Sequence, residues 1–387
     1  MKKNIVILGS TGSIGQNTLK ILSKYKNQFQ VKLLSTNKNL SKIIKQATEF
    51  KVKNIIITDF RKFQFAKKKY KKKNFIFYNT FKEIENLFKK KEIYYSMISV
   101  IGINGLDPTL RLIKYSKNIA IVNKESLICG WSLIKKKLDY YKTNFLPIDS
   151  EHFSIHQVIK NLEINSIKNI YLTASGGPFL KFKNIKNKKI KLKQALNHPN
   201  WVMGKKISVD SATLMNKVFE VIEAKNIFNL PYSKIKILTH PKSYVHGIVE
   251  QNNSLIKLIA HQPDMKIPIM NSIFNDNIRI KSKHIDLKIL NNLEFKKIDI
   301  KQFPLVKILK NLPNYNSLYE TAVVTINDFF VMKFLDKKIS YHDLIFFIIK
   351  FSKKSDILKL KNYPLNNLKE IYKIIDYVSF KLNKLGI

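Results

Sequence analysis

Cysteine, arginine and acid are the scarce components of this 387-residue chain. The single cysteine, Cys129, excludes an internal disulfide framework and a cysteine-ligated zinc centre. Only three arginines occur (Arg61, Arg111 and Arg279), so 67 of the 70 strong bases are lysine and the formal charge of +43 rests almost wholly on ammonium groups. A surface built to read nucleic acid favours the planar, bidentate guanidinium. The chain is also rich in Asn, Ile, Phe and Tyr, whose codons, like those of Lys, are A/T-heavy, so compositional drift is the rival source of the charge. No apolar run approaches the ~20 residues needed to span a bilayer. The first apolar segment, Ile5–Leu8, is too short for the core of a secretion signal. A cytoplasmic protein with no membrane partner is expected. What remains is 45% hydrophobic, ample for the cores of two or three domains.

The first strand signal is Asn4–Leu8, followed at once by Gly9-Ser10-Thr11-Gly12-Ser13-Ile14-Gly15 and a helical pattern through Leu22. Strand, glycine turn and helix in this order let the backbone approach a pyrophosphate, whose charge then sits on the helix N-terminus. A plain tight turn in an α/β domain is the alternative. A second strand, Val31–Ser35, leads into Thr36-Asn37-Lys38-Asn39, where an NAD site would place an acid on the adenosine ribose. The first acid of the chain is Glu49. A carboxylate would repel a 2′-phosphate and Lys38 would attract one, so NADP is favoured. Lys38 is one lysine among many, and the missing acid is the stronger half of that argument. Further strand signals at 54–58, 74–78, 95–100, 119–122 and 144–148 alternate with helical or basic stretches and imply a parallel sheet.

In a chain with 27 acids, Asp149 and Glu151 after the last of these strands stand out. In extended backbone, residues two apart face one side, so the pair reads as a hard-cation site or as an edge-strand acid pair with a helix N-cap at Ser150. A helix opening at Ser211 as N-cap would gather Leu214, Val218, Val221 and Ile222 into an apolar stripe. Asn216, Glu220 and Glu223 fall on the other face, with Lys217 beside them. Such a face is either solvated or a binding surface: a serine followed by Asn and Lys suits a phosphate, and Glu220 suits a third metal carboxylate. Ser175-Gly176-Gly177-Pro178 and His198–Gly204 flank a lysine-rich stretch, 181–193, and read as a lid carrying Trp201 or as an ordinary surface loop.

These strings together resemble the 1-deoxy-D-xylulose 5-phosphate reductoisomerase family. The matches are Gly9–Gly15, Asn123-Lys124-Glu125-Ser126-Leu127, Pro147–His152, Ser175–Phe179, His198–Gly204, Lys206–Lys217 and Gln262–Met265, in family order over residues 4–270. The departures are Asn37 for a usual Gly, Val122 for Ala, Phe153 for Asn and Val218 for Gly. A family Asn-Glu pair appears as Asn327-Asp328.

The resemblance implies an α/β chain with an N-terminal Rossmann-type NADP-binding domain (1–149), a central α/β catalytic and dimerisation domain with a mobile loop (150–275), a linker (276–300) and a small C-terminal helical domain (301–387). It implies an NADPH-dependent enzyme that isomerises and reduces a keto-sugar phosphate to 2-C-methyl-D-erythritol 4-phosphate, as a homodimer with no specific nucleic-acid partner. Asp149, Glu151 and Glu220 would hold one Mg²⁺ or Mn²⁺ per subunit. Lys124 and Ser150 would contact substrate oxygens, and Ser175, Ser211, Asn216 and Lys217 its phosphate. His198 and Trp201 would ride on the closing loop. Gly9, Ser10, Thr11, Gly12, Ser13, Ile14, Asn37, Lys38, Asn39, Asn123, Glu125 and Gly204 would bind the cofactor. Two rivals are weaker. A semialdehyde dehydrogenase needs a nucleophilic cysteine, and Cys129 has no motif around it. A basic nucleic-acid binder lacks a recognisable module.

Overall fold

The computed structural model describes residues 1–182, 185, 188–201, 203–274 and 287–387. The chain divides into two compact units. The first comprises Met1–Leu127, Ser132–Asp149 and a segment starting at Met265; the second comprises Ile128–Trp131, Ser150–Asp264 and the C-terminal region.

The first unit is built on seven parallel strands: β1 (Lys3–Leu8), β2 (Phe29–Thr36), β3 (Asn54–Ile57), β4 (Ile76–Tyr78), β5 (Ile93–Ile98), β6 (Ser116–Ile121) and β7 (Asn144–Pro147). Their order is β4-β3-β2-β1-β5-β6-β7. Central β1 is an unbroken Ile-Val-Ile-Leu run because both its faces are covered, and Ile5 through Leu8 have no exposed surface. Ile7 pairs with Leu34 on one side and Met97 on the other. Strand addition reverses direction between β1 and β5, which is where open α/β sheets bind ligands.

The expected boundary at 275 is corrected by the segment 265–274. Helix Lys266–Phe274 belongs to the first unit, not to the central domain. The buried Tyr95 hydroxyl shares a hydrogen bond with Ser272 Oγ at 2.8 Å, and the Phe274 ring meets Phe29 and Tyr25 edge-on at 5.4 and 4.8 Å. Of the expected linker, residues 276–286 lie outside the described residues, as do Lys183, Asn184, Lys186 and Asn187 of the lysine-rich loop and Val202 after Trp201.

The second unit has a mixed sheet of β8 (Ile167–Ala174), β9 (Ile235–Thr239), β10 (Val245–Gln251), β11 (Ile256–Ala260) and β12 (Lys296–Lys297), ordered β11-β10-β8-β9-β12. Only β8 and β9 run parallel. Helices Ser150–Ile159 and Met215–Phe228 cover it, with Ile155, Ile170, Leu172, Val221, Phe228 and Val249 in one core. The C-terminal helices Leu318–Leu335, Tyr341–Ser352 and Leu368–Asn383 belong to this same unit and open on side-chain caps from Ser317, Ser340 and Asn367. Tyr341 ties them in: its ring lies 5.1 Å from Phe179.

Candidate functional site

In the first unit, the turn after β1 is fixed by small neutral groups. Gly9 has φ +79°, and a Cβ there would lie 2.4 Å from the Ser99 carbonyl oxygen, so only glycine fits. The Gly9 amide donates to Ser35 Oγ at 2.9 Å, Ser10 Oγ donates to Gln46 Oε1 at 2.8 Å, and the Thr11 and Thr36 hydroxyls are hydrogen-bonded to each other at 2.8 Å. Gly12 precedes helix Ser13–Leu22, which has no side-chain cap and no acid in its first turn. Its N-terminal amides and dipole are thus left for an anion. Ser13 is exposed and Ile14 anchors the helix on the core.

At the end of β2, Asn37, Lys38 and Asn39 are all exposed. Asn37 donates to Thr58 Oγ1 at 2.9 Å, and Asn39 caps helix Leu40–Glu49, leaving Lys38 as the charged group of the three. Asn123 braces the ends of β5 and β6. Its amide donates to the Val100 and Gly102 carbonyls at 2.7 Å and to Glu125 at 3.2 Å, while its Oδ1 accepts from the Ser126 amide. Lys124, nearly buried, donates to Asp149 Oδ2 at 2.5 Å.

In the second unit, charge is buried. Helix Met215–Phe228 is enclosed on nearly every side, so of the two readings of its polar face the solvated one fails and the face is interior: Lys217, Glu220 and Glu223 are 4%, 1% and 1% exposed. Lys217 Nζ donates to Glu151 Oε1 at 2.7 Å and to Glu220 Oε2. Asn216 donates to Glu220 Oε1 at 2.5 Å, Ser150 to Glu151 Oε2 at 2.6 Å, and His152 Nε2 meets the Glu220 carbonyl at 2.9 Å. Burial opposes the charge on Lys217, but Glu151 and Glu220 outweigh it and hold its pKa above the usual lysine value.

Two local expectations change. Glu151 is not on extended backbone, because β7 ends at Pro147 and helix Ser150–Ile159 has already begun. Ser211 is not an N-cap. It lies in the last turn of helix Lys205–Ala212, and Leu214, left-handed at φ 59°, breaks the chain before the next helix starts. Gly204 is the N-cap of Lys205–Ala212 and is exposed.

Ser175 and His198 come together, Oγ to Nε2, at 2.9 Å. The amides of Asn200 and Trp201 donate to His198 Nδ1 at 3.2 and 3.0 Å, so Nε2 carries the ring proton and donates to the serine. Burial lowers the His198 pKa to about 4. Gly177, at φ +61°, lets this turn approach the next element: a Cβ there would lie 2.8 Å from the Ser211 carbonyl oxygen. Three residues of this region escaped the sequence reading. Asn200 anchors the loop on Pro241 O and Ser243 Oγ at 2.7 and 2.8 Å. Trp201 lies 6.0 Å from the His246 ring, which stacks on His261 at 4.1 Å. An Asn between proline and tryptophan, and a histidine within Val245–Val249, the apolar start of a strand, were the available signals.

The oxygen-donor carboxylates, the neutral serine–histidine contact and the uncapped glycine turn define a dinucleotide-dependent oxidoreductase with a place for a hard cation. Three family profiles match the chain: 1-deoxy-D-xylulose 5-phosphate reductoisomerase over residues 5–130, its C-terminal domain over 145–228, and the DXP reductoisomerase C-terminal domain over 261–377. The reductoisomerase of Pelagibacter ubique is 50% identical over 387 residues, 100% of both chains, and that of a Sulfurihydrogenibium species is 37% identical over 96% of this chain and 94% of its own. The Zymomonas mobilis enzyme solved with NADPH superposes with TM-score 0.87 at 27% identity, covering 100% of this chain and 99% of that one. A reductoisomerase solved with NADPH, fosmidomycin and magnesium gives 0.89 at 30% identity, covering 97% and 96%. The chain belongs to the 1-deoxy-D-xylulose 5-phosphate reductoisomerase family.

Proposed function

We propose that this chain converts 1-deoxy-D-xylulose 5-phosphate to 2-C-methyl-D-erythritol 4-phosphate with NADPH and one Mg²⁺ or Mn²⁺. The observation that carries this reading is the closure of two carboxylates, the buried Glu220 and the partly buried Glu151, on one cation, the Lys217 ammonium. Oxygen donors without Cys or His suit a hard divalent ion, and Asp149, two residues before Glu151 in the chain, adds the third carboxylate. When bound, the ion supplies Lewis-acid stabilisation of negative charge on substrate oxygen, and NADPH supplies the hydride.

The protein's own groups do the rest. The Gly9–Gly15 turn takes the pyrophosphate, and Lys38, with no acid nearby in sequence, takes the 2′-phosphate; Asn123 and Glu125 complete the cofactor side. Lys124 and Ser150 orient the sugar's hydroxyl and carbonyl oxygens. Ser175, Ser211, Asn216 and Lys217 hold the phosphate, Lys217 exchanging its present carboxylate partners for phosphate oxygens. His198 fixes Ser175, and Trp201 covers the reacting carbons and excludes water.

A homodimer belongs to this reading. Edge strand β11 presents Ile256 and Leu258 to solvent beside Leu255, an apolar edge that a second copy would cover, and a solution mass of twice 45.3 kDa is expected. So does a cytoplasmic setting, where the buried Cys129 stays reduced. The direct test is NADPH consumption with the sugar phosphate, with and without divalent metal. Turnover is expected only with both present, and equal rates in chelator would overturn the metal assignment.

A further inference from the structure

Ser211 is flanked in the chain by two residues that the C-terminal helices hold. Before it, the buried Asp210 accepts a 2.8 Å hydrogen bond from Asn327 Nδ2, and its other oxygen faces Lys206 Nζ at 3.3 Å. Lys206 in turn pairs with Asp328 at 2.9 Å. After it, the Ala212 carbonyl accepts from the Tyr341 hydroxyl at 2.9 Å. The ring of that tyrosine packs on Phe179, which ends the short turn that follows Ser175. Asn327 and Tyr341 are 0% and 1% exposed, so these bonds are made without competition from water.

We propose that Asn327 and Tyr341 are positioning residues for phosphate recognition: they clamp the helix turn bearing Ser211 and, through Phe179, the turn bearing Ser175. The Asn327-Asp328 pair, more than a hundred residues away in sequence, thereby gains a role in the site. The proposal rests on the reading that these two serines grip the substrate phosphate. A loose clamp leaves both hydroxyls present but misplaced, which weakens phosphate binding equally in the ground and transition states and so raises KM while sparing kcat.

The test uses the full chain. Asn327→Leu should raise KM for the sugar phosphate about tenfold and Tyr341→Phe about threefold, as expected for loss of one buried hydrogen bond. KM for NADPH and kcat at saturating substrate should stay within about twofold, a hydrogen-bond loss spent on binding alone. Inorganic phosphate, titrated by calorimetry, should weaken in parallel. Combining Asp210→Asn with Asn327→Asp restores donor and acceptor and should recover KM, and Asn327→Leu with Ser211→Ala should be non-additive. A fall in kcat with KM unchanged, or additive effects with Ser211→Ala, would overturn the proposal. Tyr341→Phe keeps the ring on Phe179 and so reads the clamp even if Asn327→Leu does not fold. No turnover in the parent chain would remove the functional reading alone, because phosphate titration still reports on the clamp.

Discussion

The turn after β1 and the centre around Lys217 both prepare a place for charge, by opposite means. In the turn the fixing bonds are neutral, made by backbone amides and the side chains of Ser10, Thr11, Ser35, Thr36 and Gln46. Around Lys217, two carboxylates and an ammonium are held almost out of water. Amides and a helix dipole bind an anion at no cost when empty, and their strength barely depends on pH. Buried charges must be compensated at all times, and removing one leaves the others exposed to the full desolvation penalty. Substitutions in the turn should therefore act through shape, and substitutions in the centre through charge.

Glu220→Gln gives the largest expected effect. It keeps the shape and the bond from Asn216 but removes the charge that faces Lys217. Metal-dependent NADPH oxidation should fall by about 10²–10³-fold, while NADPH binding, measured by fluorescence titration, stays unchanged. Unaltered turnover would break the contrast on the charged side. Gly9→Ala is next. Its methyl group would meet the Ser99 carbonyl at 2.4 Å on left-handed backbone, costing about 1–3 kcal/mol. NADPH affinity should drop at least about tenfold with a lower Tm, while Mn²⁺ binding persists. Loss of Mn²⁺ binding as well would erase the distinction between the two regions.

The same contrast decides what was legible in the sequence. The turn is local: an apolar run buried on both faces, then glycines, then a helix, so its chemistry follows from neighbours in the chain. Even the missing acid near Lys38 is a local observation. The charged centre depends on contacts between residues far apart in sequence. Helical spacing put Glu220 and Lys217 on a polar face, but their burial depends on groups distant in sequence, such as Glu151, 66 residues before Lys217. Leu214 in left-handed backbone displaced the helix start from Ser211, and leucine carries no signal for that conformation. Helix Lys266–Phe274 joined the first unit through Tyr95 and Ser272, a contact across 177 residues. Composition told where to look for acids, not what would cover them.

The smallest effect tests whether a group can sit in the second unit's binding region and still behave like the neutral turn. His198 accepts on Nδ1 from two backbone amides, donates from Nε2 to Ser175, and is held uncharged by burial, its pKa lowered from 6.5 to about 4. A base depressed in this way binds its proton more readily when unfolded. Its contribution to stability is complete above about pH 6.5 and is lost as pH falls toward about 4. Between pH 6.5 and 8, KM for the sugar phosphate should therefore show no inflection from this histidine. Below pH 6.5, Tm should decline less steeply in His198→Gln, which keeps a donor for Ser175 and has no proton to gain. Nitrogen-15 shifts should show the Nε2–H tautomer throughout the neutral range. A titration midpoint near 6.5 would mean that the loop carries charge like the acidic centre, and that neutral design is confined to the first unit.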